Sequence, residues 1–152
     1  GVQQFLDEAA ANDYDICIID SAAGLFGVTR DVLLCADAVL VPQQAEPLGI
    51  RSVPKMLQGL TQLRETNESL KILGVLLTMV QRNLSESADA ADSIRQLLPE
   101  PLVMSQEVPR DDLFLKASGK GVPVGVLPGS SDILHIFDDV RLEIETKLGL
   151  TR

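Results

Sequence analysis

Two stretches of this chain carry the residue types that chemistry needs. In the first, Tyr14-Asp15-Ile16-Cys17-Ile18-Ile19-Asp20-Ser21-Ala22-Ala23-Gly24, four apolar residues run into a carboxylate followed by small residues. Such a run suits a buried strand over residues 15–19, covered on both faces. In open α/β sheets the carboxyl ends of the strands line the ligand crevice, so Asp20 is placed to hold a metal ion or a water against a bound phosphate. The same carboxylate equally suits a helix cap or a turn, and on these residues alone both roles stand. In the second stretch, Lys71 to Thr78 is an apolar strand that ends in Thr78 and then Gln81-Arg82-Asn83. Further on, Glu107 to Asp112 reads as a loop holding Pro109-Arg110-Asp111; taken alone, Pro109-Arg110 is an ordinary turn with a solvated guanidinium.

These stretches need elements to position them, and the chain supplies an alternation. Val2, Phe5, Leu6, Ala9 and Ala10 predict a helix over residues 2–11, stopped by Asn12 and Asp13. A short helix is expected over 28–35, then a buried strand Ala38 to Pro42 closed by the proline, then a helix over 48–65 whose start Pro54 leaves open by one turn. After the strand at 71–78 come a helix over 85–98 with Ser85 as its cap, a short strand near 102–104, a short helix over 113–118 and a turn-rich connection over 119–129. Ile133, Phe137, Val140, Ile144 and Leu148 give a terminal helix its docking face. Strands separated by helices imply parallel pairing through right-handed crossovers: an α/β fold, a three-layer α/β/α sandwich with a mainly parallel sheet.

Bulk properties narrow the function classes. At 152 residues with 45% apolar content the chain fits one domain with a sizeable core. No apolar run approaches the ~20 residues that span a bilayer. A formal charge of −9 repels nucleic acid and anionic membrane unless cations gather in one place. Arg82, Arg110, Lys116 and Lys120 either converge in space or lie as scattered solvated charges. Cys17 and Cys35 read as small reduced core residues, which points to the cytoplasm. The chain opens at Gly1 directly into a helical pattern, as an internal portion of a larger protein would.

Three separated segments together resemble one family, the deviant Walker ATPases of the ParA/MinD type, in particular its ParA-like partitioning branch. Tyr14 to Gly24 resembles the family's Walker B strand and switch region, with Ala22-Ala23 where relatives carry prolines. Ala36-Asp37-Ala38-Val39-Leu40-Val41-Pro42-Gln43-Gln44-Ala45-Glu46-Pro47-Leu48 resembles its alanine-aspartate, strand, proline, glutamine-x-glutamate stretch. Leu70 to Met79, Val108 to Asp111 and Ser118 to Val124 follow in the family's order and spacing.

The resemblance implies a nucleotide switch. The family binds ATP with Mg, passes through ADP, pairs into a homodimer around the nucleotide and hydrolyses slowly under a ParB-like activating partner. Asp20 resembles the carboxylate that holds Mg through water, and Ser21, Ala22, Ala23 and Gly24 resemble the switch loop that senses the γ-phosphate. Thr78, Pro109, Arg110 and Asp111 resemble the positions enclosing adenine. Three departures qualify the expectation. The sequence contains no glycine-rich loop with lysine and threonine, and Gly119-Lys120-Gly121-Val122 lacks the Ser or Thr that would complete one. The chain thus resembles the C-terminal portion of such an ATPase and is expected not to hydrolyse ATP on its own. Asp112 and Leu113 stand where relatives that bind DNA nonspecifically often carry a basic residue, so direct DNA contact is weakly supported. The terminal helix bears Asp132, Asp138, Asp139, Glu143 and Glu145, unlike the basic helix of membrane-bound relatives. An interaction module with the same fold and no phosphate cradle is the alternative reading.

Overall fold

The computed structural model describes residues 1–150. In chain order its elements are α1 (Val2–Ala11), α2 (Val28–Cys35), β1 (Ala38–Gln44), α3 (Pro47–Leu63), β2 (Lys71–Val80), α4 (Ser85–Leu97), β3 (Val103–Pro109), α5 (Asp112–Lys120) and α6 (Ser131–Leu148). Single turns of 3₁₀ helix lie at Glu100–Leu102 and Val124–Val126. The strands form one sheet in the order β1-β2-β3, with helices between them in the chain. The chain divides into two compact units, one built from Gly1–Val39 with Lys55–Ile72 and the other from Leu40–Pro54 with Leu73 onward.

In the larger unit β2 is the central strand, and Val75, Leu76 and Leu77 are buried in succession, as a strand covered on both faces must be. It pairs in parallel with β3, Val75 opposite Val103 and Val80 opposite Pro109, with the register shifting on either side of Leu77. Leu76, Met104, Val108 and Val140 form a buried cluster, and Leu40, Phe114, Ile136 and Ile144 pack against it. The expected docking face of α6 is therefore present: Ile133 and Val140 are buried, and Phe137 meets Phe114 edge-on at 6.3 Å between ring centres. Side chains also occupy polar backbone groups of β3. Glu143 accepts from the Ser105 amide at 2.9 Å, and Arg95 donates to the Met104 carbonyl at 3.1 Å. Lys147 donates to the carbonyls of Leu73 (2.7 Å) and Pro101 (3.0 Å), tying the end of α6 to the entry of both strands.

Several expected boundaries shift. β1 runs through Pro42 to Gln44, which a sheet-edge strand tolerates because a proline there costs no inward ladder bond. Pro54 lies inside α3, not at its start, where its missing N–H leaves one carbonyl of the preceding turn without a helical partner. α4 begins after Leu84; Ser85 is its first residue and makes no cap. β3 is longer than expected and takes Glu107, Val108 and Pro109 out of the supposed loop, because their backbone groups find β2 alongside. α5 extends to Lys120 and closes at Gly121, whose φ of +65° is the left-handed cap that glycine supplies without strain.

The smaller unit corrects a larger expectation. Residues 14–22 form no strand and are exposed, including Cys17 and Ile18, the latter 92% accessible. Four apolar residues make a strand only where a neighbour supplies ladder partners, and among the described residues none pairs with this stretch. What this unit buries is Leu33 of α2, Leu60 and Leu63 of α3, and Leu70. The Asn67 amide donates to the carbonyls of Leu33 (3.1 Å) and Ala36 (3.0 Å), satisfying the open end of α2. Among the described residues no helix is long and apolar enough to cross a membrane.

Candidate functional site

The carboxyl ends of β2 and β3 meet at a cavity of about 600 Å³ lined by Val80, Gln81, Arg82, Asn83, Glu107, Pro109, Arg110 and Ile136. The parallel ladder creates it. The amide of Arg110 donates to the carbonyl of Val80 at 3.0 Å, which sets the Pro109-Arg110 turn beside the end of β2. Both strands end facing the same way, so their polar tails gather on one side, as they do in open α/β sheets. The backbone at Met79 takes φ +55°, a left-handed conformation uncommon for a side-chain-bearing residue. This kink, where the β2–β3 register shifts, precedes Val80 and the loop that follow it in the cavity wall.

An ionic network stiffens one side. Arg82 donates to Glu107 through Nε at 2.9 Å and again through Nη2, and to Asp92 through Nη1 at 2.7 Å. Arg95 reaches the same Glu107 at 3.0 Å. Burial pushes the Glu107 carboxyl up, but the hydrogen bonds and charges of Arg82 and Arg95 outweigh it and hold the group below its usual range. Glu107 first and Asp92 second keep Arg82 more firmly charged than usual. The cavity therefore presents an apolar floor of Val80, Pro109 and Ile136, two amide side chains, a neutralised arginine and Arg110, for which no ion pair is found among the described residues.

Of the residues singled out in the sequence, Pro109 and Arg110 line this cavity. Thr78 lies on β2 two residues before Val80, outside the cavity lining, and uses its carbonyl to accept from the Ala45 amide at 3.0 Å. Asp111 turns its carboxylate to the Leu113 amide at 2.8 Å and caps α5. Asp20 and Ser21 to Gly24 belong to the smaller unit, in an exposed loop. There Thr29 donates to the carbonyl of Ala22 at 3.0 Å, and Gly24 sits at φ +100°, open to glycine alone without strain. Leu25 at the end of this loop lies against Gly59 of α3, where a Cβ would meet the tip of the leucine side chain. Of the four cations considered together, Arg82 and Arg110 converge on the cavity, and the first is already paired with carboxylates.

Sequence reasoning missed Glu107, Asp92 and Ile136. Their partners are distant in the chain, so spacing carried no sign of them.

Comparison with known proteins adds to this geometry. A family model described as an AAA domain matches residues 2–72. The virulence plasmid ParA family protein pGP5-D of Chlamydia muridarum is 27% identical over 147 residues, covering 94% of this chain and 54% of the relative. These likenesses support a fragment of a ParA-like protein. The ParA-like chain thus spans about half the length of the curated relative it matches. Apo McdA from Cyanothece shares its fold, with a TM-score of 0.79 at 22% identity over 94% of this chain and 57% of McdA. Cobyrinic acid a,c-diamide synthase from Mycobacterium smegmatis, solved with ADP and magnesium, gives a TM-score of 0.60 at 28% identity, covering 78% and 55% of the two chains. The α/β fold with a parallel sheet of the P-loop NTPase kind follows from these likenesses.

Proposed function

We propose that this ParA-like chain serves an ATP-dependent switch in DNA partitioning or cellular positioning, with the cavity at the ends of β2 and β3 receiving the adenine base. The observation that carries the reading is the joining of Pro109 and Arg110 to the end of β2 through the Val80 carbonyl. An apolar floor with amide groups and an unengaged guanidinium at its rim fits a planar, hydrogen-bonding base. The same cavity does not fit a triphosphate. Arg82 is already neutralised, and the sequence has no GxxxxGK[ST] loop to cradle phosphates.

In this reading Asp20 holds Mg through water and Ser21 to Gly24 respond to the γ-phosphate. A single exposed carboxylate suits an ion that keeps most of its waters and takes its other ligands from phosphate. When bound, MgATP would supply the phosphoanhydride whose cleavage resets the switch. Two copies pairing around the nucleotide, and an activating partner of the ParB kind, belong to the same proposal. With its cavity arginine paired to carboxylates and a net charge of −9, direct nonspecific DNA binding is expected to be weak.

The test is a titration of the protein at its natural length with MgATP and MgGTP. ATP is expected to bind better than GTP, and Arg110→Ala to weaken ATP binding by about fivefold, the loss of one stacked guanidinium worth ~1 kcal/mol. Equal binding of both nucleotides, or an Arg110→Ala variant that binds ATP as the parent does, would remove the base-site assignment. Absence of any nucleotide binding would favour the interaction module.

A further inference from the structure

Ser87 stands out from its helix. On α4 the buried positions are Ser87, Ala90, Ala91 and Ile94, the spacing of one core-facing stripe. Three of the four are apolar, and a hydroxyl in that stripe costs free energy unless it is bonded. Ser87 is bonded twice, to two different segments. Its hydroxyl donates to the carbonyl of Ala45 at 3.1 Å and accepts from the amide of Gln81 at 3.0 Å. The other buried polar residues described, Thr29 and Ser130, each make a single side-chain bond, to a carbonyl seven and five residues away.

The two bonds close a circuit. The Ala45 amide donates to the Thr78 carbonyl at 3.0 Å, so the tail of β1 is held on one side by β2 and on the other by α4. Between Thr78 and Gln81 lie Met79, at φ +55°, and Val80. The hydroxyl thus grips the residue just past a kink at the end of β2 whose conformation is unfavourable for methionine. Val80 and Gln81, the residues that follow this kink, form part of the cavity wall.

We propose that Ser87 is a positioning residue for the base cavity: its hydroxyl fixes the kinked end of β2, Met79 to Gln81, against the tail of β1 and so sets the wall that Val80 and Gln81 present to the ligand. This rests on the base-site reading above. A serine placed only to satisfy the packing of α4 would bond a carbonyl of its own preceding turn, whereas this one spans two segments outside the helix.

The experiment uses the protein at its natural length, with Ser87→Ala and with Ser87→Thr, which keeps the hydroxyl. Amide hydrogen exchange at Gln81 reads the tether, and titration with MgATP and MgGTP reads the cavity. In the parent the Gln81 amide is expected to be protected. Ser87→Ala is expected to raise its exchange about tenfold, to weaken ATP binding about fivefold and to narrow the preference over GTP, with Ser87→Thr restoring much of each. A Gln81 amide in the unaltered protein that exchanges as fast as an open loop would overturn the proposal without any variant. So would faster exchange in Ser87→Ala with unchanged ATP affinity and base preference, which would leave Ser87 a structural residue only. Should the unaltered protein bind neither nucleotide, the base-site reading itself fails and takes this inference with it; that result is distinguished by appearing before any substitution is made.

Discussion

Glu107 shows how much one side chain decides at the cavity. It carries Arg82 from the loop after β2 and Arg95 from α4, so its loss leaves two guanidinium groups without their shared anion. Glu107→Gln is expected to lower stability at neutral pH by about 1.5–3 kcal/mol, the worth of hydrogen bonds to a charged group. The sign of the pH dependence follows from its depressed folded-state value. The stabilisation is present in full above the ordinary carboxyl value of 4.5 and is lost as pH falls through the lower folded value. Denaturant unfolding of parent and variant should therefore differ at pH 7 and converge well below that ordinary value. An equal difference at both ends of the range would show that the ionised carboxylate is not the source. Ser87 and Arg110 act at the same scale; sequence reasoning passed over Ser87, and Arg110 was singled out through the family resemblance, since taken alone it reads as a solvated guanidinium in a turn.

Gly74 governs the pairing of β2 with β3. It sits early in β2 at φ +132°, and a Cβ there would come to 3.0 Å from the carbonyl carbon and oxygen of Leu102. Both the backbone angle and the neighbour exclude a side chain, since the colliding atoms are main chain and cannot rotate away. Gly74→Ala is expected to destabilise by about 1–3 kcal/mol, read as a lower denaturant midpoint with an unchanged slope. A midpoint equal to the parent's would mean that the two strands part without cost. β3 itself illustrates why element boundaries were only partly legible. Its run Glu107-Val108-Pro109 looks like the start of a loop, yet β2 lies alongside and pairs through Val80 and Pro109. Pairing is a property of two segments, and one segment's composition records half of it.

The smaller unit carries the largest departure from expectation and with it a prediction for the molecule. Tyr14, Ile16, Ile18 and Ile19 are exposed side chains on a stretch whose backbone has no ladder partner among the described residues. Exposed apolar sequence with unpaired amides is a template for association with another chain. The 152-residue chain is expected to self-associate at micromolar concentration, and Ile18→Lys to shift it toward the monomer. Sedimentation velocity checks this; a parent chain that stays monomeric at that concentration contradicts it. The cavity is built by the ends of its own strands, whereas in the Asp20 loop the carbonyl of Ala22 accepts from Thr29 and Leu25 lies against Gly59.

Hydrophobic periodicity determined the helices, the strand β2 and the docking face of α6, because each depends on the spacing of apolar residues along one segment. It also marked the polar end of β2, whereas Pro109 and Arg110 were singled out by the family resemblance and not by periodicity. The tertiary structure alone decided that Arg82, Asp92, Arg95 and Glu107 form one network, that Ser87 joins β1 to β2, and that residues 15–19 remain without a ladder. Ion pairs and strand ladders are made between residues far apart in the chain, and their free energy exists only once both partners are brought together.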